Sequence, residues 1–269
     1  MRASFAIKAY AANTRASFLA GLAYRSGFIF SVLNNLVYMT IAFFLWRSIY
    51  GDHEILRGLT FNQTFLYVTI ASSLMVLLKT WSDWEISYQI TSGSVIMSLV
   101  KPVNYQWLMM SQSLGFALMN LLSIVVPSVI ALVFVFKVPV NSGLGLLFFP
   151  LALVFSFIMN TTIDYIIGLT SFYTESIWGI SSTKDIIIMF LSGSLIPLQF
   201  FPEAAQKVLK LLPFQAMYHL PLMMLVEPEQ SATSYLASLG VQLFWTVVIL
   251  VLARLFYNKA IKVLRVAGG

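Results

Sequence analysis

Residues 193–221 read GSLIPLQFFPEAAQKVLKLLPFQAMYHLP, and this stretch decides how the rest of the chain is interpreted. It begins inside an apolar run and carries Pro197, Pro202, Pro213 and Pro221. Because proline lacks an N–H and clashes with the preceding helical turn, the helix is predicted to kink or stop at Pro197. A broken membrane segment of this kind predicts a re-entrant region that caps a cavity or pathway.

A short helix is predicted to restart at Pro202, since proline suits the first helical position. The residues that follow place an apolar face opposite a charged face at helical spacing, which predicts an amphipathic helix over residues 202–212 along the membrane surface. The apolar face consists of Ala205, Val208, Leu209 and Leu212.

The composition is that of a membrane protein. The 269 residues are 59% hydrophobic and 10% charged, and the mean hydropathy is +0.86. Soluble domains carry about 25% charged residues, so we expect one polytopic, all-α membrane domain over residues 1–269. The chain has no Cys, which excludes disulfide and thiolate chemistry, and the net charge of +6 is interpreted as topology and lipid contact rather than nucleic-acid binding.

Six membrane spans are predicted, each near the ~20 residues that cross ~30 Å of hydrocarbon. The apolar runs cover residues 26–50, 62–81, 105–136, 144–169, a fifth that begins between 177 and 186 and ends near 197, and 235–255. Residues 1–25 are too polar to span. They are predicted to form an interfacial helix with Ile7, Ala11 and Phe18 on one stripe, and a disordered basic tail is the alternative.

The orientation follows from the lysines and arginines of the short loops. An even number of spans places both termini on one side, and eleven basic residues then share that side against five on the other. The positive-inside rule therefore predicts that both termini are cytoplasmic. The five residues on the outer side are Arg47, Arg57, Lys137, Lys207 and Lys210.

The longest predicted cytoplasmic loop covers residues 82–104. It contains a Ser-Gly-Ser turn at 92–94 and then a short helix in which Ile96, Leu99 and Val100 form one face. A half-apolar helix of this kind suits docking to a partner protein, and an interfacial helix resting on lipid is the alternative.

Motifs for catalysis are missing from the sequence. It has no GxxxxGK[ST], HExxH or GxSxG pattern, so no catalytic residue, metal site or cofactor is predicted on this chain. Asp164 is the clearest charged residue inside a span, where a charge costs ~3 kcal/mol or more, although a structural carboxylate near the inner interface is the alternative. The pair Lys184-Asp185 marks the inner end of the fifth span or lies within it. His219, in the outer segment, is either hydrogen-bonded structurally or a substrate or proton contact.

Three stretches together resemble the membrane subunit of type-2 ATP-binding-cassette (ABC) exporters, in particular the six-span bacterial permeases that are encoded with a separate ATPase. They are LAYRSGFIFSVL (22–33), ITSGSVIMSLVKPVNYQW (90–107) and IPLQFFPEAAQKVLKLLPFQAMYHLP (196–221). The resemblance covers nearly the whole chain, and the last stretch is the most specific.

The resemblance implies partners and a location. A second permease subunit, identical or homologous, would complete the pathway in the bacterial cytoplasmic membrane, and a cytoplasmic ATPase dimer would bind ATP and Mg. The connecting helix would lie within residues 1–25, the coupling helix within 92–102 and the outer re-entrant helices within 198–224.

The resemblance also implies site residues. The candidates for ATPase coupling are Ser92, Gly93, Ile96, Leu99, Lys101 and Pro102. The candidates for an outer gate are Pro197, Phe200, Phe201, Pro202, Pro213 and His219. A plastic hydrophobic pathway is expected at Met109, Phe116 and Met119, with Asp164 as its charged member.

Two other functions stay open on the sequence. One is a secondary carrier or channel that uses an intramembrane acidic site. The other is a membrane-embedded enzyme acting on lipid, which would need several polar residues at one depth. Amphiphilic drugs, peptides, lipids and polysaccharides all stay open as substrates.

Overall fold

The computed structural model describes residues 2–23, 25–139, 143–227 and 230–263, and these are mostly helical. Within these ranges the helices are α1 (Arg2–Leu22), α2 (Arg25–Tyr50), α3 (Phe61–Leu78), α4 (Ser82–Thr91), α5 (Val95–Leu99), α6 (Tyr105–Asn120), α7 (Val126–Phe134), α8 (Gly145–Leu169), α9 (Trp178–Leu191), α10 (Glu203–Leu209), α11 (Pro213–Met217), α12 (His219–Val226) and α13 (Ala232–Ala260).

Short segments of other geometry complete the helical part. A π-helical turn, Leu121–Val125, joins α6 to α7 and is followed by Pro127, whose missing N–H disturbs the regular ladder. Turns of 3₁₀ helix cover Thr170–Phe172, Leu198–Phe200 and Ile261–Val263.

Five segments of the described chain are long and apolar enough to cross a membrane: Ile29–Tyr50, Phe61–Thr91, Tyr105–Phe134, Gly145–Phe172 and Ala232–Val263. They correspond to the predicted spans one to four and six. The predicted fifth span folds as α9, which has 14 residues. At ~1.5 Å per residue this helix is shorter than the hydrocarbon layer, so the count of six spans stays a prediction.

The break after α9 has a different cause from the one predicted. The helix ends at Leu191, six residues before Pro197, and Gly193 follows with a φ of +78°. A glycine in the left-handed conformation just after the last turn is a common helix terminator, because it has no Cβ to clash. The prediction that Pro197 stops the helix was therefore wrong.

The outer segment consists of shorter helices than predicted. Instead of one helix over residues 202–212, α10 covers Glu203–Leu209 with Pro202 as the residue before it, and α11 and α12 follow after tight turns. Leu209 is buried, but Val208 is 60% exposed, so the predicted apolar face is only partly buried.

A small hairpin forms between the first two predicted spans. Strands β1 (Ile55–Leu56) and β2 (Leu59–Thr60) pair antiparallel around Arg57 and Gly58, whose φ values are +53° and +85°. Two positive φ values in a two-residue loop are typical of a type I′ turn. Thr60 then caps α3 through a reciprocal pair of hydrogen bonds with Gln63.

The helix α3 forms the centre of the core. Most of its side chains are buried, including Phe65, Tyr67 and Leu74, and it packs against α2 and α12. A helix that is apolar on all sides is expected in the interior of a bundle, where every face meets another helix. The position of α3 also brings its last turn into contact with the site described below.

The N-terminal residues form the helix α1, which lies along α6. Asn13 Nδ2 donates to the Leu108 carbonyl at 3.0 Å, and Thr14 Oγ1 donates to the Ser111 carbonyl at 2.8 Å. A Cβ at Gly115 would lie 2.4 Å from the Thr14 carbonyl oxygen, so the two backbones are in close contact. The contact between α1 and α6 is therefore made by small and polar residues.

The predicted stripe of α1 does not form this contact. Ile7 is 67% exposed, Ala11 is exposed, and Phe18 is half-buried. The stripe is predicted to face lipid at the interface, and that stays a prediction; the contact with α6 is made instead by the small and hydroxyl-bearing residues through which helices pack closely in membranes.

Candidate functional site: a buried ion-pair network beside a cleft

Five charged residues meet beside the core: four lie on α4, α8 and α9, and Lys79 lies just after α3. Lys184 of α9 is the centre, because its ammonium lies 2.5 Å from Asp164 Oδ1, 3.0 Å from Asp83 Oδ2 and 3.0 Å from Asp185 Oδ1. Lys79, just after α3, pairs with Asp185 from the other side. An ammonium has three protons to donate, so Lys184 can satisfy all three carboxylates at once.

The centre of the network is deeply buried. Asp83 and Asp164 are 0% and 1% exposed and Lys184 is 8% exposed. Ser181 Oγ donates to Asp83 Oδ2 at 2.5 Å, and the Trp84 amide donates to Asp83 Oδ1 at 3.0 Å. Buried charges persist only when they are paired and hydrogen-bonded, and this network meets both conditions.

The sequence predicts only part of the network. Asp164 was predicted as a charged residue in a span, and Lys184-Asp185 as a pair at its end. Asp83 falls in the predicted cytoplasmic loop 82–104, and Lys79 was counted only among the eleven basic residues of the cytoplasmic side, so their part in the network was not predicted. The residues Asp83 and Lys184 are 101 positions apart, and nothing local indicates their contact.

A cleft of about 1030 Å³ lies beside the network, between α3, α4, α6 and α9. The predicted pathway residues Met109, Phe116, Met119 and Asp164 all line it. The first three lie on α6 with spacings of seven and three, which places them on one helical face. The structure therefore places all four predicted pathway residues in one cleft.

The other side of the cleft was not predicted. It is formed by aromatic residues of the α3–α4 junction and of α4, by methionines of α3 and α9, and by charged residues. The main members are Met75, Lys79, Trp81, Trp84, Glu85, Tyr88, Asp185 and Met189.

The junction between α3 and α4 has an unusual conformation. Trp81 has a φ of +55°, and its side chain is 59% exposed. The Lys79 ammonium lies 4.5 Å from the centroid of the Trp81 ring, which is cation–π distance. Between them, the Thr80 hydroxyl is buried without a hydrogen-bond partner.

The predicted coupling residues lie between the turn that joins α4 to α5 and the residues just after α5. We call α4, α5 and this turn the α4–α5 unit (residues 82–99). Gly93 has a φ of +75° at the turn, and Ser92 Oγ donates to the Tyr88 carbonyl at 2.6 Å. Lys101 and Pro102 are exposed just after α5. The turn allows α5 to fold back beside α4.

The predicted face of the coupling helix was wrong at one position. Ile96 and Leu99 are half-buried against the bundle, but Val100 is 73% exposed and shares its outward face with Met97, which is 70% exposed. The inward side of this short helix is centred on the buried residues Val95 and Ser98, with residues 96 and 99 at its edges, so residues 97 and 100 face outward.

Gln89 joins α4, α5 and α6 and was not predicted. Its Oε1 accepts from Ser98 Oγ at 3.3 Å and from Tyr105 Oη at 3.2 Å, and its Nε2 donates to Glu85 Oε1 at 2.8 Å. The α4–α5 unit is therefore tied to the start of α6.

The unit is tied as closely to α8. A Cβ at Gly168 would lie 2.7 Å from the Ile86 Cβ, and Ser171 Oγ donates to Ser87 Oγ at 2.7 Å. Together with Asp83, these contacts make α4 part of the packed bundle rather than a free loop.

The predicted outer-gate residues occupy different environments. Phe200 packs edge-on against Trp46 of α2, with ring centroids 5.0 Å apart. Pro213 begins α11, Pro202 is exposed and Pro197 is buried. Phe201 is half-buried.

His219 is buried and its Nδ1 lies 3.0 Å from Tyr67 Oη. Tyr67 Oη also lies 2.9 Å from the Gly193 carbonyl oxygen. Because the tyrosine has one hydroxyl proton and the carbonyl can only accept, the consistent arrangement has Nδ1–H of His219 donating to Tyr67. The chain ties the outer segment to α3 through this pair of hydrogen bonds.

Over the residues described, no group of three or more His, Asp or Glu side chains is arranged to hold a metal ion.

One protein-family model matches most of the chain. It is described as "ABC-2 family transporter protein", and it matches residues 36–268. The match covers the network, the α4–α5 unit, the outer segment and all of the cleft lining except Ser31. No curated protein matches the chain significantly.

Proposed function

The chain belongs to the ABC-2 family of transporter proteins, and we propose that it is the permease of an ATP-driven exporter whose energy comes from a separate ATPase. It is a multi-pass membrane protein with the permease role of that family. Transport would be outward and driven by a cytoplasmic ATPase dimer. A second permease subunit, a copy or a homologue, would complete the pathway. The complex would lie in the bacterial cytoplasmic membrane with both termini of this chain inside.

The observation that carries the proposal is the attachment of α4 to the bundle. Asp83, at the start of α4, pairs with Lys184 of α9, which also pairs with Asp164 of α8. A push on the α4–α5 unit would therefore reach α8 and α9 through close contacts. Energy from a distant site changes a transport pathway only by favouring one of two conformations, and a packed unit of this kind can transmit that preference.

The ATPase would contact the outward face of α5. Met97 and Val100 are exposed there, with Lys101 next to them. Exposed apolar side chains beside a positive charge suit a partner surface with an apolar pocket and an acidic rim. The cleft beside the network would supply this subunit's half of the pathway.

The first experiment is purification of the chain from native membranes in gentle detergent, with partners identified by mass spectrometry. We expect an ATPase in equal amount to total permease, and one or two permease species. Recovery of the chain alone, in preparations where other membrane complexes survive, would argue against an ABC complex.

The second experiment tests the contact in vesicles that contain the assembled complex. Met97→Glu together with Val100→Glu should lower ATP-dependent transport at least about tenfold, because two charges replace the apolar contact at a cost above ~1.4 kcal/mol. Ile55→Glu is the matched control, since Ile55 is 62% exposed and lies on the hairpin at the opposite end of α3. Equal transport in the double variant and the control would reject the docking face.

A second candidate function has one observation in its favour. Asp164 is a buried carboxylate inside a span, which a carrier driven by an ion gradient would need. Vesicles without the ATPase distinguish the two candidates. Proton- or sodium-driven uptake that Asp164→Asn abolishes would favour the carrier, while transport that requires the ATPase favours the exporter.

A further inference from the structure

The cleft combines an acidic end with a large apolar wall. Its volume of about 1030 Å³ is close to the upper end of the range for small-molecule sites, ~300–1,000 Å³. Carboxylates, aromatic rings and methionines in one cavity have the chemistry that recognises an organic cation with an apolar body.

Carboxylates outnumber cations on the wall of the cleft. In the described part of the chain, Glu85, Asp164 and Asp185 line it against one ammonium, that of Lys79. Behind the wall, Lys184 and Asp83 are paired and add no net charge. The excess of negative charge favours a cation and disfavours a phosphate or an anionic lipid.

One corner of the cleft already holds an alkylammonium group. The Lys79 ammonium lies 4.5 Å from the Trp81 ring centroid and pairs with Asp185 at the same time. The Asp185 side chain is 41% exposed and that of Lys79 is 25% exposed, so both are accessible from the cleft. The corner formed by Trp81 and Asp185 therefore has the right spacing for a cationic group, with Lys79 as its internal competitor.

An unpartnered hydroxyl lies beside this corner. Thr80 lines the cleft, is 6% exposed, and its Oγ1 has no hydrogen-bond partner. A buried hydroxyl without a partner is unfavourable, and a polar group of a ligand would satisfy it.

The methionine wall of the cleft, contributed by α3, α6 and α9, suits a variable apolar body. Met75, Met109, Met119 and Met189 line the cleft, and Phe116 lies among them. Methionine side chains are flexible and polarizable, so they adapt to apolar groups of different shapes.

We propose that the cleft binds amphiphilic organic cations, with the cationic group between Asp185 and Trp81 and the apolar body against the methionine wall. The proposal rests on the proposed function, because it names the substrate class of the exporter's pathway. Binding of the ligand would displace the Lys79 ammonium from Asp185.

The test uses two probes of the same shape and opposite charge, tetraphenylphosphonium and tetraphenylborate. Their binding to the purified full complex is measured by equilibrium dialysis without ATP, and empty detergent micelles are subtracted. We expect the phosphonium to bind at least about tenfold more tightly than the borate, equivalent to ~1.4 kcal/mol. Equal binding of the two ions would overturn the proposal.

For three variants we predict whether phosphonium binding becomes weaker or stronger. Asp185→Asn and Trp81→Leu should each weaken phosphonium binding severalfold, because each removes one half of the corner. Lys79→Gln should strengthen it, because it removes the competing ammonium. Weaker binding in Lys79→Gln would reject the assigned corner, and a variant that only unfolded the protein could not bind more tightly.

Matched controls lie on the α8–α9 connection and at the first residue of α9. Glu175→Gln removes an exposed carboxylate, and Trp178→Leu removes a tryptophan that is 67% exposed. Neither residue is among those that line the cleft, so both variants should bind the phosphonium like the wild type. A loss equal to that of Asp185→Asn and Trp81→Leu would show that the effect is not local.

The transport and binding experiments together test the substrate class and the exporter function separately. ATP-dependent transport without a charge preference in the cleft would reject the substrate class and leave the exporter. Cation binding with the predicted signs, in a chain that transports without an ATPase, would reject the exporter and leave the binding site.

Discussion

Lys184 is the residue on which the buried network depends, since its ammonium is shared by three carboxylates. Removing one partner of a buried ion pair costs about 3–5 kcal/mol, because the remaining charges stay buried without compensation. We therefore expect Lys184→Met to lower the melting temperature of the purified protein by roughly 10 °C.

Lys207→Met is the control for that measurement, because Lys207 is exposed on α10 and exposed lysines contribute little to stability. The double variant Lys184→Met with Asp164→Leu should regain part of the loss, since it removes charges of both signs. If the double variant were less stable than Lys184→Met by the full cost of a second deletion, the two residues would not be energetically coupled.

At the scale of elements, α1 and α6 are held together by close contact of their backbones. A Cβ at Gly115 would lie 2.4 Å from the Thr14 carbonyl oxygen and 2.6 Å from the Ser17 Cβ. Gly115→Ala should therefore push α1 away from α6. A cysteine in place of Ser17, which is 8% exposed, would react faster with a thiol reagent in the Gly115→Ala background.

The chain itself simplifies this experiment, because it contains no cysteine that would react in the background. Gly240→Ala is the matched control. Gly240 lies in α13, and a Cβ there would meet nothing within 4 Å. Alanine is favoured over glycine in helices by up to ~1 kcal/mol, so this variant should leave the labelling rate unchanged and the stability equal or higher. Unchanged labelling in Gly115→Ala would show that α6 tolerates the added methyl group without moving α1.

At the scale of the whole molecule, the sequence predicts the features that depend on a continuous apolar run of residues. Five long apolar runs predict helical segments that the structure contains, because each crossing needs its own ~20 apolar residues. The pathway face of α6 is predictable for a similar reason, since Met109, Phe116 and Met119 repeat at helical spacing.

What the sequence does not predict depends on contacts between distant segments. Asp83, Asp164 and Lys184 each read alone as a charge near a membrane interface, and only the packing of α4, α8 and α9 joins them. The end of α9 was misjudged because two residues with breaking tendencies, Gly193 and Pro197, follow each other closely. The glycine terminates the helix before the proline has any effect.

The count of crossings is the property of the whole molecule that α9 decides. With 14 residues, α9 spans ~21 Å, about two thirds of the ~30 Å hydrocarbon layer. If α9 completes a crossing together with the residues that follow it, both termini lie on the same side. If the chain enters and leaves on one side there, the termini lie on opposite sides, and the basic residues of the C-terminal end would face outward, against the positive-inside rule.

Single cysteines at three exposed lysines measure this directly, because an impermeant thiol reagent labels only the outer side of intact cells. We expect Lys207→Cys to be labelled in intact cells, and Lys8→Cys and Lys259→Cys only after permeabilisation. Labelling of Lys259→Cys in intact cells, with Lys8→Cys still protected, would require five crossings. In that case α9 to α12 would form a re-entrant region on the cytoplasmic side, and the segment 198–224 could not be an outer gate.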